Sequence, residues 1–130
     1  HRRLRKYAAL EHLELREEKG DSRGSRDREA DRLISSLREG DFLVLCDERG
    51  RQMRSAELAD FLAERERSGR GRTIFLVGGP YGVGEAVRAR ADAALSLSRL
   101  TLPHELARLV LTEALYRAFS ILRGEKYHHG

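Results

Sequence analysis

Apolar residues recur along this chain at two spacings in turn, and the alternation lays out its elements. Residues 1–10 read as the end of a basic helix, and His12-Leu13-Glu14-Leu15 alternates in the manner of a strand. Within residues 28–38, Ala30, Leu33, Ile34 and Leu37 fall at helical spacing, and Gly40 supplies the stop that helix C-termini favour. Phe42-Leu43-Val44-Leu45-Cys46 is a short unbroken apolar run, which predicts a strand buried on both faces. Ser55 is placed to cap a helix over residues 56–65, with Leu58, Phe61 and Leu62 inward. Residues 73–77 repeat the buried-strand pattern and run straight into a glycine loop, Gly78-Gly79-Pro80-Tyr81-Gly82-Val83-Gly84. A short helix over 85–91 follows, with Glu85 in its first turn where the macrodipole favours an acid. A third strand is expected over 93–97. The last helix is expected over 103–123, with Pro103 in its first turn. Strands and helices alternate throughout, which predicts an α/β fold on a parallel sheet.

Two segments do not fit a plain sheet-and-helix pattern. Residues 17–27 are charged and contain glycine, and read as a mobile loop. Composition favours a solvated linker, with phosphate contact as the alternative. The last helix carries a broad apolar face of Ala107, Val110, Leu111, Ala114, Leu115, Ala118, Ile121 and Leu122, and Leu106, Leu109 and Phe119 extend it to a second side. One small sheet cannot cover all of that, so a self-association surface is expected, a wholly internal helix being the alternative.

Length and composition narrow the field. A chain of 130 residues makes one domain, residues 1–130, with a modest core and no room for separate cofactor and substrate domains. An enzyme of this size that grips a large substrate borrows surface from a second copy. The net charge of +4, with the signs mixed along the chain, permits a nucleic-acid partner without requiring one. Nearly all the basic residues are arginine, which suits bidentate phosphate contacts and follows equally from a GC-rich genome. With one cysteine, Cys46, no disulfide framework forms within the chain. No apolar run approaches membrane-spanning length, so the expectation is cytoplasmic, with no membrane. The sequence starts at His1, inside what reads as a helix, so a missing upstream segment is expected.

Three places hold candidate chemistry. The glycine loop follows a strand and precedes a helix, so its backbone can approach a ligand. It lacks the Gly-Lys-Ser/Thr of a P-loop and the glycine order of a dinucleotide fingerprint, so alone it is equally a tight turn. The segment from Leu97 to Leu102 alternates apolar and polar residues before Pro103-His104. Its side chains can sandwich a flat heterocycle while Ser98, Thr101 and the free backbone groups bond its edge; a strand extension with a helix cap is the alternative. Tyr127, His128 and His129 end the chain with groups suited to proton transfer, or form a frayed terminus. No cluster of Cys, Asp and His is spaced for a closed metal site. On the last helix Glu113 and Arg117 stand at i, i+4. Arg117 is also a candidate for holding a phosphate.

These pieces, in this order and spacing, resemble a known family. Phe75-Leu76-Val77-Gly78-Gly79-Pro80-Tyr81-Gly82, then Leu95 through His104, then Glu113 through Phe119, then Tyr127-His128-His129, are similar to the RlmH family. Its members are bacterial 23S ribosomal RNA pseudouridine N3-methyltransferases of the SPOUT class. The likeness is strong from Thr73 to His129 and looser from Tyr7 to Leu62, where Glu17 through Arg23 and Leu45 through Gly50 fit the pattern.

The resemblance implies a parallel-sheet SPOUT methyltransferase fold with a C-terminal trefoil knot, working as a homodimer. It implies S-adenosyl-L-methionine bent in the knot, against Cys46 (leucine in most of the family), Gly78, Gly79, Leu97, Ser98, Arg99, Leu100, Thr101 and Leu102. It implies that Arg117, Tyr127, His128 and His129 line the methyl-acceptor side, completed across the dimer, and that the acceptor is 23S rRNA in the assembled ribosome. No metal is required. The family also begins with a strand and helix before the equivalent of Tyr7, most of which this sequence lacks. Two other classes remain open on the residues alone. One is a non-catalytic RNA-binding module; the other is a nucleotide-binding enzyme using the glycine loop.

Overall fold

Four strands pair side by side as one parallel sheet in the computed structural model, which describes residues 13–17, 23–68, 71–78 and 84–124. The strands are β1 (Leu13–Glu17), β2 (Phe42–Gln52), β3 (Thr73–Val77) and β4 (Ala93–Ser96), in the order β1-β3-β2-β4. Helices α1 (Arg23–Ser36), α2 (Ser55–Ser68), α3 (Glu85–Arg90) and α4 (His104–Leu122) follow the strands in turn. The expected parallel α/β architecture is present. The expected helix over residues 1–10 lies outside the described residues.

The centre of the sheet, β3 and the start of β2, is covered on both faces. Every residue of β3 is buried, as the apolar run from Ile74 to Val77 requires. On one face Val44, Phe75, Val77 and Leu95 pack with Leu58, Ala59 and Leu62 of α2 and Leu111, Leu115, Ala118 and Phe119 of α4. On the other, Leu43, Leu45, Ile74 and Leu76 meet Val87 of α3, with Leu33 and Ile34 of α1 against them. Each fully buried side chain of this kind contributes about 1.5–3 kcal/mol. Phe61 links the layers, edge-on to Phe42 at 5.8 Å and to Phe75 at 6.4 Å, and the Arg65 guanidinium lies 3.9 Å over the Phe42 ring.

Several expectations need correction. Helix α1 starts at Arg23, so the C-terminal half of the expected 17–27 loop is helical. Arg, Glu and Ala are good helix formers, and Gly24 falls in the first turn, where it weakens a helix least. The same helix ends at Ser36, and Gly40 (φ +88°) belongs to the separate turn closed by Asp41 N–H donating to Arg38 O. Strand β2 runs six residues beyond Cys46, through a polar stretch with no apolar signal. Its pairing with β4 shifts register between Cys46 and Arg51, so the intervening residues bulge. Gly50 makes that bulge possible, because a Cβ there would lie 2.7 Å from the Ala94 carbonyl carbon. Helix α2 is capped through Arg54: Leu58 N–H donates to Arg54 O, and Glu57 Oε1 accepts from Arg54 N–H at 2.8 Å, one arm of a capping box. Pro103 is the N-cap of α4, not part of its first turn. Phe119 is in the core, so the second apolar side of α4 is Leu106 and Leu109.

The amino ends of β2 and β3 are tied by one carboxylate. Asp41 accepts from Arg38 N–H, from Arg72 N–H and Nε–H, and from Arg72 Nη2 at 2.6 Å. The Asp41 side chain is wholly covered. Gly71 (φ +56°) lets the chain pass beneath: a Cβ there would meet the Gly40 carbonyl oxygen at 2.4 Å.

Candidate functional site

At the opposite end of the sheet, β2 and β3 part company. They pair as far as Cys46 and Val77. The chain then leaves β2 for α2 on one face, and leaves β3 for α3 on the other. Neighbouring strands that diverge to opposite faces open a crevice at their carboxyl ends, where open α/β sheets bind ligands. A cleft of about 440 Å³ lies there, within the range of roughly 300–1,000 Å³ usual for small-molecule pockets.

Three short segments build its walls. Cys46, Asp47 and Glu48 lie in β2 where its pairing with β3 ends, Val77 and Gly78 end β3, and Leu97 through His104 joins β4 to α4. Hydrogen bonds within the last segment give it its shape. Ser96 Oγ donates to Ser98 O at 3.0 Å, and Leu100 N–H donates to Ser98 Oγ at 3.0 Å. Further bonds tie it down: Thr101 Oγ1 donates to Glu48 Oε2 at 2.6 Å, and His104 Nδ1 bonds Gly78 O at 2.7 Å. A carbonyl oxygen only accepts, so His104 Nδ1 carries the hydrogen.

The chemistry of the lining is mixed in a useful way. Val77, Leu97, Leu100, Leu102 and Ala107 present apolar surface suited to a flat ring. Asp47 and Glu48 add carboxylates, and Arg88 reaches across from α3 to bond Asp47 Oδ2. Burial pushes the Asp47 carboxyl up, but hydrogen bonding and charge from Arg88, with Arg49 nearby, outweigh it and hold the group below the usual range. Asp47 is therefore ionised and already neutralised by Arg88. Burial pushes the Cys46 thiol up to about 12, so at neutral pH it is a small apolar wall and no nucleophile. Among the described residues, no group of three or more His, Cys, Asp and Glu is placed to hold a metal. No described helix is long and apolar enough to cross a membrane.

Of the residues singled out in the sequence, Cys46, Gly78, Leu97, Ser98, Leu100, Thr101 and Leu102 come together around this one cleft. Arg99 does not line it; exposed, its Nε–H donates to Gln52 Oε1 at 2.8 Å. Arg117 is exposed on α4. At about 1.5 Å per residue it stands roughly 20 Å along the axis from His104. Gly79, Tyr127, His128 and His129 lie outside the described residues. Sequence reasoning missed Asp47, Glu48, Arg88 and His104 as lining residues. The first two follow the buried run 42–46 directly, the place a ligand takes in such a sheet, and that was the available signal. Arg88 sits on a helix, and its reach to Asp47 is purely tertiary.

Comparison with known proteins shows the family. A family described as "Predicted SPOUT methyltransferase" matches residues 1–128. A protein named Ribosomal RNA large subunit methyltransferase H from Geobacter sp. (strain M21) is 48% identical over 98% of this chain and 83% of its own length. The protein of the same name from Geobacter metallireducens is 47% identical over 98% and 83%. That from Gloeobacter violaceus is 46% identical over 99% and 84%. With the match running nearly end to end, the chain belongs to the SPOUT methyltransferase family, in the branch of these large-subunit enzymes, and is a methyltransferase.

Proposed function

We propose that this chain transfers a methyl group from S-adenosyl-L-methionine to N3 of a pseudouridine in 23S rRNA, acting on the assembled ribosome. The observation that carries the reading is the convergence of Cys46, Gly78, Leu97, Ser98, Leu100, Thr101 and Leu102 on one cleft at the divergence of β2 and β3. The lining fits the donor: apolar walls for a flat base, backbone groups of residues 97–102 for its edge, and carboxylates for hydroxyl or ammonium groups. Bound there, the donor supplies an electrophilic methyl carbon on a sulfonium.

The residues do the rest by placement. Cys46, Val77 and the leucines exclude water, and Gly78 lets backbone approach closely. The acceptor nitrogen must lose a proton, and His129, His128 or Tyr127 assists that loss. Arg117 holds a phosphate or the anionic base. Since Arg117 stands about 15 Å along α4 beyond Ala107, the last cleft-lining residue of that helix, its role requires a second copy. The active unit is then a homodimer, with the exposed Leu106 and Leu109 (44% and 59% accessible) as the expected contact. A single domain over residues 1–130, a C-terminal trefoil knot and a cytoplasmic location complete the reading.

A ribosome methylation assay tests it. With ribosomes lacking the modification, labelled methyl enters the 23S RNA and maps to a single pseudouridine. Label at any other position, or none, overturns the assignment. Replacing His129 with Ala lowers methylation far more than donor affinity; equal loss of both removes the proton-transfer role. The specific observation against a bare RNA-binding module is the donor-sized cleft itself, for which such a module has no use.

A further inference from the structure

His104 is the first residue of α4, directly after Pro103, whose ring fixes φ at −56° and turns the chain from loop to helix. From there its Nδ1–H reaches back 26 residues in sequence to the Gly78 carbonyl, at 2.7 Å. The two residues stand on different walls of the cleft, one ending β3 and the other closing the 97–104 segment. Two other side-chain bonds tie this segment to β2, Thr101 to Glu48 and Arg99 to Gln52. Both are exposed, where water competes for each partner. The His104 bond is partly buried, so water competes for it less.

We infer that His104 is a positioning residue for the donor site: its Nδ1–H sets the spacing between the end of β3 and the 97–104 segment, and so the width of the cleft. The inference rests on the donor reading above and adds a role to a residue that reading leaves unused. His104 does not act on the methyl group or the acceptor proton. Its hydrogen is committed to Gly78 O, and its effect passes through the backbone it holds.

Three proteins and two readouts test this: wild type, His104→Ala and His104→Asn, by calorimetric titration with S-adenosylmethionine and by steady-state methylation. The Asn amide nitrogen lies two bonds beyond Cβ, where Nδ1 lies, so it restores the donor; Ala does not. Thermal denaturation of each variant checks that it is folded. The expected result is that His104→Ala weakens donor affinity about tenfold and raises KM for the donor to match, with kcat little changed. His104→Asn recovers most of both. Wild-type affinity in His104→Ala overturns the inference, as does an Asn variant no better than Ala. A large fall in kcat at unchanged KM also overturns it, by making His104 a direct participant. If the wild-type chain itself binds no S-adenosylmethionine, the donor reading fails first; binding by wild type with no response to Ala sinks the positioning role alone.

Discussion

Single side chains at the two ends of the sheet carry opposite kinds of information. At the amino end, Asp41 is a structural charge. The Arg72 guanidinium, bonding it from two atoms, holds its carboxyl far below the ordinary 3.8 despite burial, which acts the other way. A carboxyl depressed on folding stabilises the fold fully above its ordinary value and loses that contribution as pH falls toward its folded one. Stability measured by urea unfolding therefore falls as pH drops below about 4, and Asp41→Asn flattens that part of the profile. Asp41→Ala at neutral pH costs about 3–5 kcal/mol, because it removes the wholly covered carboxylate that accepts from the Arg72 side chain and from two backbone N–H groups. A variant as stable as wild type contradicts the clamp. At the carboxyl end, Cys46 is a wall. Its thiol, pushed up to about 12, resists alkylation in the folded chain at pH 8 and reacts once the chain is unfolded. Cys46→Leu keeps donor affinity within a few-fold, because it exchanges one apolar wall for another.

At the scale of elements, what the sequence made legible was what periodicity encodes. The buried runs 42–46 and 73–77 became strands because uninterrupted apolarity suits a sheet covered on both faces. The long apolar stripe of α4 became a helix against α2 for the same reason. The rest was illegible for stated reasons. The polar end of β2 is held by pairing with β4, which a local pattern does not see, and the start of α1 lies in a stretch whose charge reads as a loop. Gly50 had no signal at all, since its role is to leave room for the β4 backbone. Gly50→Ala should destabilise the chain by about 1–3 kcal/mol, a typical overpacking cost, seen as a lower urea midpoint at unchanged slope. Gly71→Ala should cost at least as much, because steric overlap with Gly40 adds to a left-handed backbone. Neutral behaviour in either would contradict the close approaches described.

For the whole molecule, the candidate site divides into a legible donor cleft and the proposed acceptor side. The cleft residues lay in motifs, but no local pattern says that strands β2 and β3 are neighbours, or that their helices go to opposite faces. The acceptor side is different again: Arg117 is far from the cleft, and residues 127–129 lie outside the described ones. If a second copy supplies them, two crippled chains should rescue each other. Gly78→Trp blocks the cleft, and Arg117→Ala removes the acceptor contact. Mixed after dissociation, they form heterodimers with one intact site, giving roughly a quarter of wild-type methylation from random pairing. No recovery on mixing contradicts a shared site. Leu106→Glu with Leu109→Glu should yield monomers by sedimentation equilibrium; a persistent dimer would move the contact elsewhere.

The donor cleft is the claim on which all of this depends, and calorimetric titration of the purified chain probes it directly. S-adenosylmethionine should bind at one site per chain, ATP and RNA fragments alone should give little heat, and Gly78→Trp should abolish the donor signal. Binding of ATP in place of S-adenosylmethionine, or an unchanged donor affinity in Gly78→Trp, would contradict it.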